Sequence, residues 1–146
     1  MKVYMDNCAI QRPLDNKSNL RNRIEAEAVM GLFELFEQQK LELVNSEVLI
    51  YELNKTPDKE RVYFGKKVLS LCKEIIPLTD AIIEKAIEFE EAGIKPLDSL
   101  HLAIAVTNEI KYLCTCDDKF LKNAHKLKNI RTKVVLPTDL IKEVVK

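Results

Sequence analysis

The stretch Pro96–Val106 reads PLDSLHLAIAV. It is apolar nearly all round, and a helix of that character is a buried one. Asp98 nevertheless falls in its first turn. On a helical wheel it lies beside Leu102 and Ala105, not on a solvated face. An ionised carboxylate there is costly unless a cation or a hydrogen-bond donor meets it. The helix N-terminus offsets part of that cost, because an acid complements the dipole at that end. Two readings stay open on this stretch alone: Asp98 caps the helix, or it is held there to bind a metal ion.

Outward from this helix, strands and helices alternate. Lys2–Met5 (KVYM) is a short apolar run that stops at Asp6-Asn7. Over about Arg21–Gln38, the apolar residues Ile24, Ala28, Leu32, Leu35 and Phe36 recur at helical spacing. Leu41–Val44 reads as a strand, and Ser46 is an N-cap for EVLIYELNK. Pro57-Asp58 opens a helix to about Cys72, and Ile75-Ile76 is a short extended piece. Thr79 caps a helix to about Ala92, which Gly93 ends. After the Asp98 helix come a strand at Tyr112–Cys116 (YLCTC) and an amphipathic helix at Phe120–Leu127. A strand at Lys133–Leu136 and a helix from Pro137-Thr138 to Lys146 complete the pattern. The alternation predicts an α/β fold: one three-layer domain over residues 1–146, with a mostly parallel central sheet flanked by helices.

Composition excludes several classes. The 146 residues are 47% apolar and 32% charged, which suits a packed core rather than a disordered chain. With 23 basic and 23 acidic side chains the formal net charge is zero, so no global field draws nucleic acid. Local basic patches remain: Arg12, Arg21 and Arg23 after Asp6, and Lys119, Lys122, Lys126, Lys128, Arg131 and Lys133 after Asp117. Either can meet an RNA backbone, Arg12 being the contact singled out; either can equally be a solvated face. No apolar run approaches the roughly 18 residues of a membrane span, and no signal-peptide h-region opens the chain. A cytoplasmic protein that does not enter membranes is expected. Cys8, Cys72, Cys114 and Cys116 form no C-x-x-C pair and are expected to be reduced and structural. Three glycines leave no G-x-G-x-x-G and no P-loop.

The acids carry the chemistry. In open parallel sheets, ligands bind beyond the C-terminal ends of the strands, at the point where strand order reverses. Asp6 follows the first strand and Asp117 follows YLCTC; if those strands are neighbours, both acids project from one edge. Asp98 starts the helix that leads into the second strand and can reach the same edge. In the Ser46-capped helix, Glu47 falls with Tyr51 and Asn54 on the polar side, whereas Glu52 falls between Val48 and Leu49 in the apolar arc. Glu52 is therefore preferred. Carboxylates that converge stay ionised together only if divalent cations neutralise them. All-oxygen ligands suit Mg²⁺ or Mn²⁺, and two-metal sites of this kind hydrolyse phosphate esters. Taken singly, Asp6 and Asp117 also read as turn or cap residues. Thr115 can orient a water or simply favour a strand. His101 can be packed in the core or act as an acid or base. A phosphotransferase with a nucleophilic first aspartate would need D-x-D, and the chain has Asp6-Asn7-Cys8.

These residues resemble the PIN-domain family, and within it the VapC-type toxin-like ribonucleases. The matching pieces are Asp6 in VYMDN, Ser46 and Glu52 in SEVLIYEL, Asp98 in PLDSLHLAIAV, and Thr115-x-Asp117-x-x-Phe120 in TCDDKF. The resemblance implies that Asp6, Glu52, Asp98 and Asp117 are catalytic, and that they bind Mg²⁺ or Mn²⁺ to cleave RNA. Glu52 serves either as ligand or as orienter of the attacking water, with Thr115 and Asn7 in support. Asn7 stands where the family often has Ser or Thr, and it retains a donor for a carboxylate or water. The T-x-D-x-x-F register favours Asp117 over its neighbour Asp118. An antitoxin that covers the acidic groove and a homodimer are also implied. Leu32, Phe33, Leu35 and Phe36 offer more apolar surface than one core face needs, which a dimer contact can use. The alternative is a catalytically silent PIN-like module that binds RNA or protein.

Overall fold

The computed structural model describes residues 1–145, so the expected end of the last helix at Lys146 lies outside the described residues. Five strands form one all-parallel sheet: β1 (Lys2–Met5), β2 (Glu42–Ser46), β3 (Ile75–Ile76), β4 (Tyr112–Cys114) and β5 (Lys133–Val135). Their order is β3-β2-β1-β4-β5. The chain leaves β1 toward one side through β2 and β3, then returns to place β4 and β5 on the other. Strand order thus reverses between β1 and β4, where a crevice opens at the carboxyl ends.

Among the described residues, eight helices flank the sheet: α1 (Asn7–Gln11), α2 (Leu20–Glu37), α3 (Glu47–Asn54), α4 (Lys59–Leu69), α5 (Asp80–Glu91), α6 (Pro96–Thr107), α7 (Asp118–His125) and α8 (Pro137–Val144). A 3-10 turn at Arg12–Leu14 follows α1. Contacts join α1, α3 and α4, pair α2 with α8, and pair α5 with α6. With helices around the sheet, Val3, Tyr4 and Met5 are all buried, as are all three residues of β4. Strands covered on both faces lose the alternation of exposed and buried positions.

The local signals act where the spacing places them. Ser46 caps α3 by accepting from Leu49 N–H, and Asp58 and Thr79 cap α4 and α5 in the same way. Gly93, at φ 99°, turns the chain from α5 into α6. Gly65 answers a close approach: a Cβ there would stand 2.5 Å from Leu53 Cδ1, so a larger residue would have to displace the Leu53 side chain where α4 meets α3.

Two expectations about α2 are corrected. Ile24 is half exposed, and the core face runs instead through Ala26, Val29, Leu32, Phe33 and Phe36, with Glu25 among them. Glu25 can face inward because Arg12 comes to meet it, and that rotates Ile24 out. The apolar surplus assigned to a dimer contact is also used within the chain. Leu32, Phe33 and Phe36 are core residues and Leu35 packs against them, with α8 laid along α2. The strand YLCTC ends at Cys114, which leaves Thr115–Asp117 as the turn beyond the sheet.

Candidate active site

Register assembles the site. Met5 pairs with Cys114, so Asp6 and Thr115 stand level, one step beyond their strands. Asp6 N–H donates to Cys114 carbonyl at 3.1 Å and extends the ladder by that step. Asp6 is 4% exposed. Its Oδ1 accepts from Ala9 N–H and from the Cys8 thiol, each at 3.0 Å, so it also caps α1. Burial pushes its carboxyl above the usual range, against the opposing pull of hydrogen bonds from Thr115 and Cys8.

Asp98 occupies the first turn of α6 and caps nothing; the N-cap position is Lys95, which makes no side-chain cap. The capping reading of Asp98 is therefore set aside. The Asp98 carboxyl is pushed up to about 6, first by burial and then by the charges of Asp6 and Asp117. Asp98 thus feels the charge of both other acids. Asp117 caps α7, where its Oδ1 accepts from Lys119 N–H at 2.9 Å and Phe120 N–H at 3.1 Å. Thr115 Oγ1 accepts from Asp117 N–H at 3.2 Å, so the buried threonine braces the turn that carries the last acid.

Asp118 is a different kind of residue from its neighbour. It is exposed and held by Arg21, whose Nη2 stands 2.7 Å from Oδ1, and that hydrogen bond lowers its carboxyl. Among the described residues, Asp6, Asp98 and Asp117 form no ion pair with any lysine or arginine.

Glu52 does point inward, between Val48 and Leu49, and keeps 25% of its side chain exposed. What meets it is His101: Nε2 lies 2.9 Å from Glu52 Oε1. His101 Nδ1 lies 2.6 Å from Tyr4 Oη, which in turn lies 2.9 Å from Ser46 Oγ. Asn7 opens α1 beside Asp6 and is half-buried. Arg12 is drawn into the molecule: its guanidinium meets Asp15 at 2.8 Å, Asn22 at 3.0 Å and Glu25 at 3.2 Å. The lysines after Asp117 are exposed.

Among the described residues, no group of three or more His, Cys, Asp or Glu side chains stands close enough to hold a metal ion as the side chains lie. The donor chemistry nevertheless suits a hard divalent cation. Three carboxylates share an edge, two with raised pKa, and oxygen donors of one sign are what Mg²⁺ or Mn²⁺ takes.

Sequence reasoning passed over Tyr4, the arginine-bound Glu25, and Cys8 as a partner of Asp6. A tyrosine in a strand buried on both faces needs a partner for its hydroxyl, and that signal was readable. Glu25 lies in the apolar arc of α2, as Glu52 does in that of α3, so the same wheel finds both.

Comparison with known proteins agrees with this geometry. No curated protein sequence matches the chain. Among solved structures, it is similar to FitAcB from Neisseria gonorrhoeae (15% identity, TM-score 0.63, covering 93% of this chain and 98% of that one). It is also similar to VapBC2 from Rickettsia felis, solved bound to a DNA fragment from its promoter (16%, TM-score 0.59, 93% and 98%). PAE2754 from Pyrobaculum aerophilum is a third (19%, TM-score 0.58, 99% and 98%). At these identities the likeness is one of fold. The family model described as PIN domain matches residues 18–126, a span that holds Glu52, Asp98 and Asp117 and begins after Asp6. That match covers most of the chain and falls on a parallel sheet whose reversal point gathers acids, and it establishes that this chain belongs to the PIN-domain family.

Proposed function

We propose that the chain is a metal-dependent endoribonuclease that hydrolyses RNA phosphodiester bonds. PIN domains are generally nucleases, and the observation that carries the finer reading is the unpaired acid edge. Asp6, Asp98 and Asp117 stand together without a basic partner, and Asp98 is pushed up to about 6 by burial and by the other two. Groups arranged against their own ionisation mark functional sites more often than structural ones. Asp6, Asp98 and Asp117 would hold Mg²⁺ or Mn²⁺, with Glu52 as a further ligand or as the orienter of the attacking water. The bound ion would supply positive charge for the scissile phosphate and lower the pKa of a water at neutral pH.

The chain's own residues do the rest. Thr115 fixes the turn that carries Asp117, and its hydroxyl favours the ionised form of Asp6. Asn7 places an amide donor beside Asp6 for a carboxylate or a phosphate oxygen. Asp118, neutralised by Arg21, is left out of the acid set. The exposed lysines of α7, Lys119 and Lys122, form no ion pair among the described residues, and they would meet the RNA backbone in place of the internally engaged Arg12. The likeness to FitAcB and VapBC2 supports a toxin of a type II pair, masked by an antitoxin protein in a cytoplasmic setting. No helix among the described residues is long and apolar enough to cross a membrane.

The test is cleavage of a mixed single-stranded and hairpin RNA pool by purified protein, with Mn²⁺ or Mg²⁺, with EDTA, and with Asp98→Asn alongside. Cutting that needs the metal and disappears in the variant is expected. Full cutting by Asp98→Asn would defeat the assignment. A second reading, a PIN-like module that binds RNA or protein without cutting, draws on the open spacing of the acids. It requires that calorimetry find no Mn²⁺ binding to the folded protein.

A further inference from the structure

A string of four polar side chains runs through the interior. Ser46, Tyr4 and His101 are buried, and the string ends at the partly exposed Glu52. Its links are Ser46 Oγ to Tyr4 Oη at 2.9 Å, Tyr4 Oη to His101 Nδ1 at 2.6 Å, and His101 Nε2 to Glu52 Oε1 at 2.9 Å. The direction is set at the Glu52 end. A carboxylate only accepts, so Nε2 carries a proton. In the neutral ring, Nδ1 then accepts from the Tyr4 hydroxyl, and the Tyr4 oxygen accepts from Ser46. The Ser46 oxygen takes Leu49 N–H at 3.1 Å, so each polar side-chain atom of the three buried members has a partner.

The string touches three elements that carry an acid. Tyr4 lies two residues before Asp6, Ser46 caps the helix of Glu52, and His101 follows Asp98 by one turn of α6. Apolar residues of the same shape would pack this interior about as well, with no hydrogen bond to satisfy. The distinguishing property of the string is direction, because it dictates where one carboxylate oxygen stands. We propose that Tyr4 and His101 are positioning residues, which fix the Glu52 carboxylate relative to Asp6 and Asp98 for the reaction. This inference rests on the nuclease reading.

The experiment measures kcat and KM for a single-stranded RNA oligonucleotide with Mn²⁺, for the wild type, His101→Leu, His101→Gln and Tyr4→Phe. Thermal melts accompany each variant. The chain has only two histidines, so nitrogen-15 histidine NMR of the wild type and of Glu52→Gln resolves the ring of His101. Loss of a group that orients a functional ligand costs about 10–100-fold, so His101→Leu is expected to lose that much kcat with KM little changed. His101→Gln is expected to recover most of the loss, since its amide N–H can reach Glu52. Tyr4→Phe should show a smaller loss. In the NMR, a protonated Nε2 whose signal shifts in Glu52→Gln is expected. A folded His101→Leu with wild-type kcat overturns the proposal. So does a His101→Gln no better than Leu at equal melting temperature, or a ring without a proton at Nε2. If the wild type itself does not cut RNA, the nuclease reading falls and takes the proposal with it. If the wild type cuts and the variants match it, the proposal alone falls.

Discussion

Two groups of acids lie close together in this molecule and are satisfied in opposite ways. In the first, Glu25 is 3% exposed and faces Arg12 and Arg21, while Asp15 joins Arg12 to Arg61. Each acid there has a guanidinium. In the second, Asp6 takes a backbone N–H and a thiol, Asp117 takes two backbone N–H groups, and among the described residues neither they nor Asp98 form an ion pair with a lysine or arginine. Burial alone therefore does not mark a functional acid. A buried carboxylate that brings its own arginine is part of the structure, and one left with like charges for neighbours waits for something to bind.

The largest expected break in this comparison is on the paired side. Glu25→Gln takes one of two carboxylates from Arg12, which keeps Asp15, so the loss should reach at most the about 3–5 kcal/mol of breaking a buried ion pair. A urea melt should show the loss, with metal-dependent cleavage retained in whatever fraction stays folded. On the unpaired side, Asp98→Asn should lower cleavage by about a hundredfold or more, the scale of losing one aimed electrostatic group. The same substitution should raise the stability of the metal-free protein by about 1–2 kcal/mol, a figure discounted for the half-exposed position of Asp98. A swap that abolishes function while it stabilises would separate the two groups more sharply than any other result.

The pH dependence sharpens the contrast further. Asp98 titrates near 6 in the folded chain, above its ordinary range. The folded state therefore disfavours its ionised form. In EDTA, the stability that Asp98 contributes should be fully present below about pH 4, be lost as the pH rises to about 6, and stay level above that. Asp98→Asn should flatten this window, and Mn²⁺ should restore the wild type at pH 7, both readable in melting temperature. The smallest expected effect separates two neighbours. Asp118→Asn should leave cleavage within about twofold of the wild type, as exposed substitutions usually do, whereas Asp117→Asn should behave like Asp98→Asn.

The alternation of strands and helices was legible because its punctuation is local. Ser46, Asp58, Thr79 and Gly93 each start or stop a helix by their own chemistry. A mostly parallel sheet followed from the same alternation. Inward acids were legible too, since a wheel of α3 puts Glu52 among Val48 and Leu49. The wheel could not say what meets an inward acid. Glu52 meets a histidine from α6, and Glu25 meets an arginine from the turn after α1. Both partners lie on other elements, and periodicity within one helix carries no information about them. Arg12 illustrates the same limit, because its nearness in sequence to Asp6 says nothing of the three side chains that engage it. Leu32, Phe33 and Phe36 looked like surplus surface for the related reason that α8, which packs along α2, arrives from the far end of the chain.

The pairing of Met5 with Cys114 has a consequence for how the molecule comes into being. β1 is made well before β4, and its β4 side stays open until that strand has been synthesised. Contacts so distant in sequence close slowly, and domains form in the order in which their parts emerge. Asp6 meets Thr115 and Asp117 only at that late step. A chain caught before β4 carries α1 to α6 and no assembled acid edge, so this fold delays its own chemistry until β4 and the turn beyond it are in place.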